Sequence, residues 1–513
     1  MSNRKESFMK NMKVTLGFYV INIFLAFLSR SIFIKVLGAD ISGLNSLFIN
    51  LIGFLNIAEL GVGAAIGYSL YKPLSEKNYN KINEIMILFK YYYRNIAKII
   101  FLLGIIVSLF LPLFIKDQVS IYISYLYYYL YLINCIATYF FTYKQTLIIS
   151  DQKQYKITYI LNIFKIFKIL IQCIQLLVIP SFIIWLIIEI IFNLGGMFLA
   201  NKKIDCIYYK YINYKSKYSF NEIKSNNLEI GKNIKNIFFH KIAGFIVFQT
   251  DTILISLFIT LKDTAIYANY MMVINNISGL INNAIGCIMP TIGNVIAEES
   301  KEKCYDIFKQ LYILDHFMAI IISYVSYIII NKFITFWVGN EYLFNKGIVL
   351  VLMLNLYIQI SRGSVERFKD GFGIYWDIKA PIIESIINLI FSVILCEYIG
   401  VIGIFLGTLI SNIIIVKIWK PFILFKEGFQ KESILYFKDT IRIYIKNILI
   451  IISSNFLYGR LCFNINNNFI NLLVNFILVL LICIIISLFI YIINKDFRKL
   501  LRNFLGKYIK VRK

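Results

Sequence analysis

Apolar runs long enough to cross a bilayer recur from residue 14 to residue 493, separated by short polar stretches. A helix rises about 1.5 Å per residue, so roughly 18–25 apolar residues match the hydrocarbon layer. On that measure the pattern predicts fourteen spans, at 14–37, 43–70, 92–115, 121–149, 157–179, 181–200, 237–259, 265–290, 311–331, 346–366, 380–398, 401–425, 441–458 and 470–493. The connecting stretches are too short for a sizeable soluble domain, and no Pro/Ser-rich linker interrupts them. The first run is longer than the apolar part of a signal peptide and lacks an A-x-A cleavage pattern, so it reads as a retained first helix. The expectation is an all-α polytopic membrane protein of about fourteen transmembrane helices.

The charges give this pattern a direction. With the N-terminus inside, one side collects Arg4, Lys5, Lys10 and Lys13, then Lys72, Lys77 and Lys81, then Lys144, Lys153 and Lys156. The same side takes the basic run from Lys202 to Lys235, the loops around Lys303, Lys369 and Lys431, and a C-terminal tail ending in Arg512 and Lys513. Opposite loops carry one or two positives each, such as Lys116, Lys262 and Arg460. By the positive-inside rule both termini are expected in the cytoplasm, with the protein in the bacterial inner membrane. The net charge of +25 is therefore spread over short loops, not gathered on a folded basic face, and nucleic acid is excluded as a partner. At 59% hydrophobic residues, the composition exceeds the ~45–50% usual for soluble chains.

A faint internal duplication refines the layout. Asp40-Ile-Ser-Gly-Leu-Asn45 opens the second span, and "DTAIYANYMMVINNISGL", with Asp263, Tyr267 and Asn269, opens the eighth. "EKNYNKINEIMILFKYYY" then has a counterpart in "EKCYDIFKQLYILDHF". A shift of six spans implies two parallel bundles. The expected division is 1–230, 231–438, and two further spans with a basic tail over 439–513.

The polar residues inside the oily runs are the candidates for function. Glu59 lies mid-span, and Asn56, Glu59, Gly63 and Gly67 would share one face of a continuous helix. A charge at mid-membrane costs about 2.5–3.5 kcal/mol, so the acid is paired, solvated or protonated, either as a structural group or as a cavity or coupling acid. Arg30 lies deep in the first span, where it serves a phosphate or snorkels outward. In the fifth span Thr158, Asn162, Lys165, Lys168, Gln172 and Gln175 step by three or four residues, a polar stripe that needs water or an anion beside it. The seventh span carries Gln249, Thr250 and Asp251, and the tenth Gln359 and Arg362, with Glu366 and Arg367 read as a solvated cluster at its exit. Glu189 and Asn388 are buried polar groups without an assigned role.

Several chemistries are missing. GxxxxGK[ST], GxGxxG, HExxH and a DxD cluster are absent, and no exposed loop is large enough to gather catalytic acids or histidines. The eight cysteines are scattered without CxxC, and there are two histidines, so no metal or other cofactor is expected and no disulfide framework. The chain is not read as an enzyme.

"RSIFIKVLGADISGLNSLFINLIGFLNIAELGVGAAIGYSLYKPLSEKN" resembles the opening spans of bacterial polysaccharide (Wzx-type) flippases, of the multidrug/oligosaccharidyl-lipid/polysaccharide exporter superfamily. "QTDTILISLFITLKDTAIYANYMMVINNI" resembles the start of their second bundle, and "DIKAPIIESIINLIFSVILCEYIGVIGIFLGTLIS" their eleventh and twelfth spans. The resemblance implies two six-helix bundles in a V around a central cavity, plus two more helices. It implies an undecaprenyl-pyrophosphate-linked oligosaccharide turned from the inner to the outer leaflet by alternating access. Arg30 best matches the cationic residues thought to hold the pyrophosphate; Lys165, Lys168, Gln172 and Arg362 are added from the buried pattern. Glu59 or Asp251 would be the acid of a proton- or sodium-coupled member. A cation-coupled multidrug exporter of the same superfamily is the alternative carrier, and a membrane polysaccharide polymerase the alternative from another class.

Overall fold

The computed structural model describes residues 2–59, 61–115, 119–209, 219–231, 234, 250–286, 292, 295–296, 298–374, 377, 379–463, 465 and 467–502. Every regular element among the described residues is helical. The chain is an all-α polytopic membrane protein, and among the described residues ten helices are long and apolar enough to cross a membrane. It divides into two compact units, Met1–Ala265 and Ile266–Lys513.

The first unit opens with α1, Ser2–Leu55. Its apolar part, Gly17–Leu55, runs to 39 residues, about 58 Å of helix against a hydrocarbon layer of ~30 Å. Gly38, at φ 83° and ψ 177°, breaks the helical path, a conformation that costs glycine little and other residues much. The break falls between the two sequence-predicted spans 14–37 and 43–70. The second of these is not one helix, however. Asn56–Glu59 form a 3-10 turn, Gly61 takes φ 93°, and α2 starts afresh at Val62 and ends at Glu76. Asn56 and Glu59 therefore do not share a helical face with Gly63 and Gly67.

Then come α3 (Tyr79–Leu109), α4 (Leu111–Phe114), α5 (Ile121–Ser150), α6 (Tyr155–Val178), α7 (Phe182–Tyr208) and the short α8 (Phe220–Ser225). Eight tyrosines keep α5 from reading as a membrane helix by apolarity alone. Their rings are used inside the unit: Tyr128 packs edge-on to Phe48, and Tyr143 meets Phe89 of α3. The expected span at 237–259 lies outside the described residues up to 249. The first turn of α9 (Leu261–Gly286) belongs to this unit, and Gly43 passes so close to Leu261 that a Cβ there would sit 1.9 Å from its carbonyl oxygen. Five asparagines lower the apolarity of α9 as tyrosines do in α5.

The second unit contains the rest of α9, then α10 (Lys301–Val338), α11 (Lys346–Ser361), α12 (Gly363–Gly371), α13 (Lys379–Ile399), α14 (Val401–Phe429), α15 (Ile434–Leu461) and α16 (Asn468–Tyr491). Its core is aromatic: Phe308, Phe368, Phe425 and Phe429 interlock, with Phe308 stacked on Tyr312. The helices α13 and α14 touch through the GVIGIFLGT stretch, where a Cβ on Gly403 or Gly407 would lie 2.3 Å from Leu395 or Ser392. Asn388 bridges the same pair, donating to the Thr408 hydroxyl at 2.9 Å, which gives it a packing role. Wide π turns at Asn412–Trp419 and Leu424–Phe429 flank Pro421, which has no N–H for the ladder.

Candidate functional site

The polar stripe of α6 meets a partner that the sequence left unassigned. Lys168 and Gln172 are one helical turn apart, as are Glu189 and Asn193 on α7, so each pair shares a face. Lys168 Nζ donates to Glu189 Oε1 at 2.5 Å and to Asn193 Oδ1 at 3.3 Å. Gln172 Nε2 donates to Glu189 Oε2 at 3.0 Å and to the Trp185 carbonyl at 3.1 Å. Asn193 Nδ2 completes the carboxylate's shell at 3.0 Å. The anion that Lys168 needed is thus supplied from within the fold. Lys165, one turn earlier and exposed, lies within electrostatic reach of both Lys168 and Glu189.

The two ends of the stripe do structural work. Asn162 accepts from Asn22 of α1 at 2.7 Å, and Leu25, Ile169 and Cys173 pack together beside them, fastening α1 to α6. Gln175 closes the turn into α7, its amide donating to the Ile179 and Ser181 carbonyls. Arg30, half-buried, directs Nη2 toward the Ala265 carbonyl at 3.4 Å. Arg30 and Glu189 both act electrostatically on Tyr131, whose hydroxyl donates to Asn45 Oδ1. Lys168 thus contacts Glu189, Lys165 acts on the same pair, and Arg30 is linked to them through Tyr131, on which it and Glu189 both act.

Tyr131 also lines a cavity of about 460 Å³ together with Asn56, Glu59, Asn134, Thr138 and Thr142. Glu59 accepts from the Tyr93 hydroxyl, and Asn56 Oδ1 accepts from Tyr139 at 2.9 Å and Cys135 at 3.2 Å. Asn134 Oδ1 has no hydrogen-bond partner among the described residues. Asp251, flanked by Thr250 and Thr252, is buried in the same unit, while Gln249 lies outside the described residues.

In the second unit Arg362 pairs with Glu366 at 3.4 Å, and Lys420 bridges Glu366 and Glu384 at 3.4 Å each. Arg367 is not part of a solvated cluster: it holds the buried Asp315 at 2.7 Å, and Asp315 also accepts the Ser364 N–H at 2.6 Å. A residue not singled out in the sequence stands out here. Lys417, 6% exposed inside the apolar run NIIIVKIW, donates to the Ser361 hydroxyl at 2.6 Å. It caps one wall of an apolar cavity of about 690 Å³, lined by Tyr324, Leu354, Tyr357, Leu409 and Ile451 among others. A lone lysine in such a run was the available signal.

No protein-family model matches the chain, and no curated protein sequence matches it. Solved structures do. The inward closed conformation of the lipid II flippase MurJ aligns over 94% of this chain and 99% of its own, with a TM-score of 0.66 and 15% identity. An inward-facing multidrug resistance MATE family transporter of the MOP superfamily covers 77% of this chain and 92% of its own, at TM-score 0.59 and 13% identity. A mutant of the Vibrio cholerae MATE transporter VcmN covers 84% of this chain and 99% of its own, at TM-score 0.53 and 12% identity. At such identities the likeness is one of fold: the chain has the architecture found in MurJ and the MATE transporters.

Proposed function

We propose that the chain is a carrier, without covalent chemistry of its own, that turns an undecaprenyl-pyrophosphate-linked oligosaccharide across the bacterial cytoplasmic membrane by alternating access. The observation that carries the reading is that Lys168 pairs with Glu189 while Lys165 acts on that pair and Arg30 shares Tyr131 with it. Glu189 is taken up by Lys168, so the charge of the exposed Lys165 is left to meet an anionic head inside the membrane, where it is worth most. The guanidinium of Arg30 suits a pair of phosphate oxygens. The apolar cavity in the second unit suits a hydrocarbon chain, and a lipid II flippase among the structural neighbours fits a lipid-linked cargo. On this reading residues 1–230 and 231–438 are the two bundles, residues 439–513 an addition, and both termini are cytoplasmic.

The test uses proteoliposomes carrying the full chain and undecaprenyl-pyrophosphate oligosaccharide, with outer-leaflet sugar read by a lectin. Flipping is expected from the wild type and its loss from Arg30→Ala at normal insertion. Undiminished flipping by that variant would remove the cluster from the mechanism.

One observation favours a second reading, a cation-coupled multidrug exporter. The Glu59 cavity offers a carboxylate, the unpartnered Asn134 oxygen and two threonines, oxygen ligands of the kind that sodium or a proton relay needs. Drug efflux that depends on Glu59, with no flipping, would favour it.

A further inference from the structure

On α3, Lys90, Arg94 and Lys98 follow one another at four-residue steps, so they form a ladder about 12 Å long on one side of the helix. They line a concavity of about 400 Å³ with Ile87, Tyr91, Asn95 and Phe220. The Tyr91 and Phe220 rings, 4.2 Å apart between centroids, make an apolar wall that ties α8 to α3. No acidic side chain lines the concavity among the described residues. The one carboxylate of α3, Glu84, is engaged by Lys81 at 3.6 Å, and Glu222 of α8 is used in the capping box of its own helix. Arg94 and Lys98 have no ion pair among the described residues, and both are exposed on the side of the unit.

Like charges at four-residue spacing repel by about 0.2–0.5 kcal/mol per pair, and more where water is thin. The sequence places the membrane-spanning part of α3 at 92–115, so the ladder runs from the level of the inner-leaflet headgroups into the bilayer. An anion drawn from the headgroup layer relieves the repulsion, and the apolar wall suits the glycerol or prenyl stem below it. Inter-helix basic pockets at this depth are where anionic headgroups settle.

We propose that the α3 concavity is a binding site for the phosphate or pyrophosphate head of a membrane lipid, held by Arg94 and Lys98 and steered by Lys90. The shared chemistry has two sources, a resident anionic phospholipid and a lipid-linked pyrophosphate. The site is separate from the Arg30 cluster and does not depend on the transport reading.

Native mass spectrometry of the full chain in detergent tests it with four probes: phosphatidylglycerol, phosphatidylcholine, undecaprenyl pyrophosphate and inorganic pyrophosphate. Arg94→Gln with Lys98→Gln is expected to weaken the acidic lipids about 30-fold, from two lost basic groups, and to leave phosphatidylcholine unchanged. Arg94→Lys keeps the charge and restores most of the binding. Loss confined to phosphatidylglycerol assigns a resident phospholipid, loss confined to undecaprenyl pyrophosphate a cargo-loading site, and competition by inorganic pyrophosphate shows that the phosphate alone suffices. Lys303→Gln, which removes an exposed lysine that does not line the concavity, leaves all of these values as in the wild type, which shows that the loss belongs to this site and not to net charge. Wild-type affinity of the double variant for every acidic lipid overturns the proposal.

Discussion

Replacing Glu189 with glutamine leaves Lys168 charged inside the membrane with two amides and no carboxylate. Breaking a buried pair by removing one partner costs about 3–5 kcal/mol, whereas replacing both by apolar groups is often neutral. Side-chain exposures of 12% for Lys168 and 18% for Glu189 set the expected loss at the low end, about 3 kcal/mol. For a folding unit of this size, 1 kcal/mol moves the melting midpoint by about 2–4 °C, so Glu189→Gln is expected to melt about 6–12 °C lower. The double variant Lys168→Met with Glu189→Leu removes both charges. It keeps the Gln172 bond to the Trp185 carbonyl and takes one carboxylate acceptor each from Gln172 and Asn193, a cost of about 1 kcal/mol in all at the low end for part-buried hydrogen bonds. It should melt within about 4 °C of the wild type. The assay is a fluorescence-monitored melt of purified protein in one detergent at fixed lipid content. If the double variant melts as low as Glu189→Gln or lower, the side chains do not form an ion pair, and the reading of the α6–α7 cluster fails.

Other outcomes follow from the same geometry. Arg367→Ala strands the buried Asp315, so the yield of folded protein should fall as for a loss of about 3–5 kcal/mol, and adding Asp315→Asn should recover part of it, measured by size-exclusion profile. Gly407→Leu drives a side chain into the Ser392 backbone and should prevent α13 and α14 from packing, while Gly459→Ala, with open space around it, should leave the same profile unchanged. Glu59→Gln keeps a partner for the Tyr93 hydroxyl, so the midpoint should move by no more than about 1 kcal/mol allows, and any sodium or pH dependence of transport should vanish if Glu59 is the coupling acid. Lys417→Met exchanges a buried cation for a chain of similar length and should melt at or above the wild type; a large drop would assign Lys417 a structural charge role.

The helical membrane character was legible because burying twenty apolar residues in lipid outweighs every other local preference. Legibility ended where one residue type had two uses. Tyrosines in α5 and asparagines in α9 lower apparent apolarity yet pack and hydrogen-bond inside a bundle, as Tyr128 does with the Gly104 carbonyl at 2.9 Å. The break after Leu55 was hidden because an oily run shows length but not path, and only Gly61 hinted at a left-handed step. The stripe on α6 was visible as a period, but its partner Glu189 is a lone acid in an oily run. Pairing across two helices depends on their rotation about their axes, which periodicity on either one alone does not fix.

The ion pairs also bear on where a cargo would be felt. Lys168 with Glu189, Arg367 with Asp315, and Lys369 with Asp377 at 2.8 Å each set a cation against a carboxylate of the same unit. Such pairs fix helix rotation and leave little field beyond themselves, because a neutral pair decays as a dipole while a single charge does not. Cations outside such pairs, Lys165 beside the neutral Lys168–Glu189 pair and Arg94 and Lys98 on α3 among them, carry the long-range field in the first unit. Converting Lys165 to methionine should then weaken a phosphate-bearing lipid more than Lys168→Met does when Glu189 is removed with it, since the second change deletes a dipole and the first a charge. Equal effects of the two changes on that binding would show that the pair, and not the excess charge, meets the cargo.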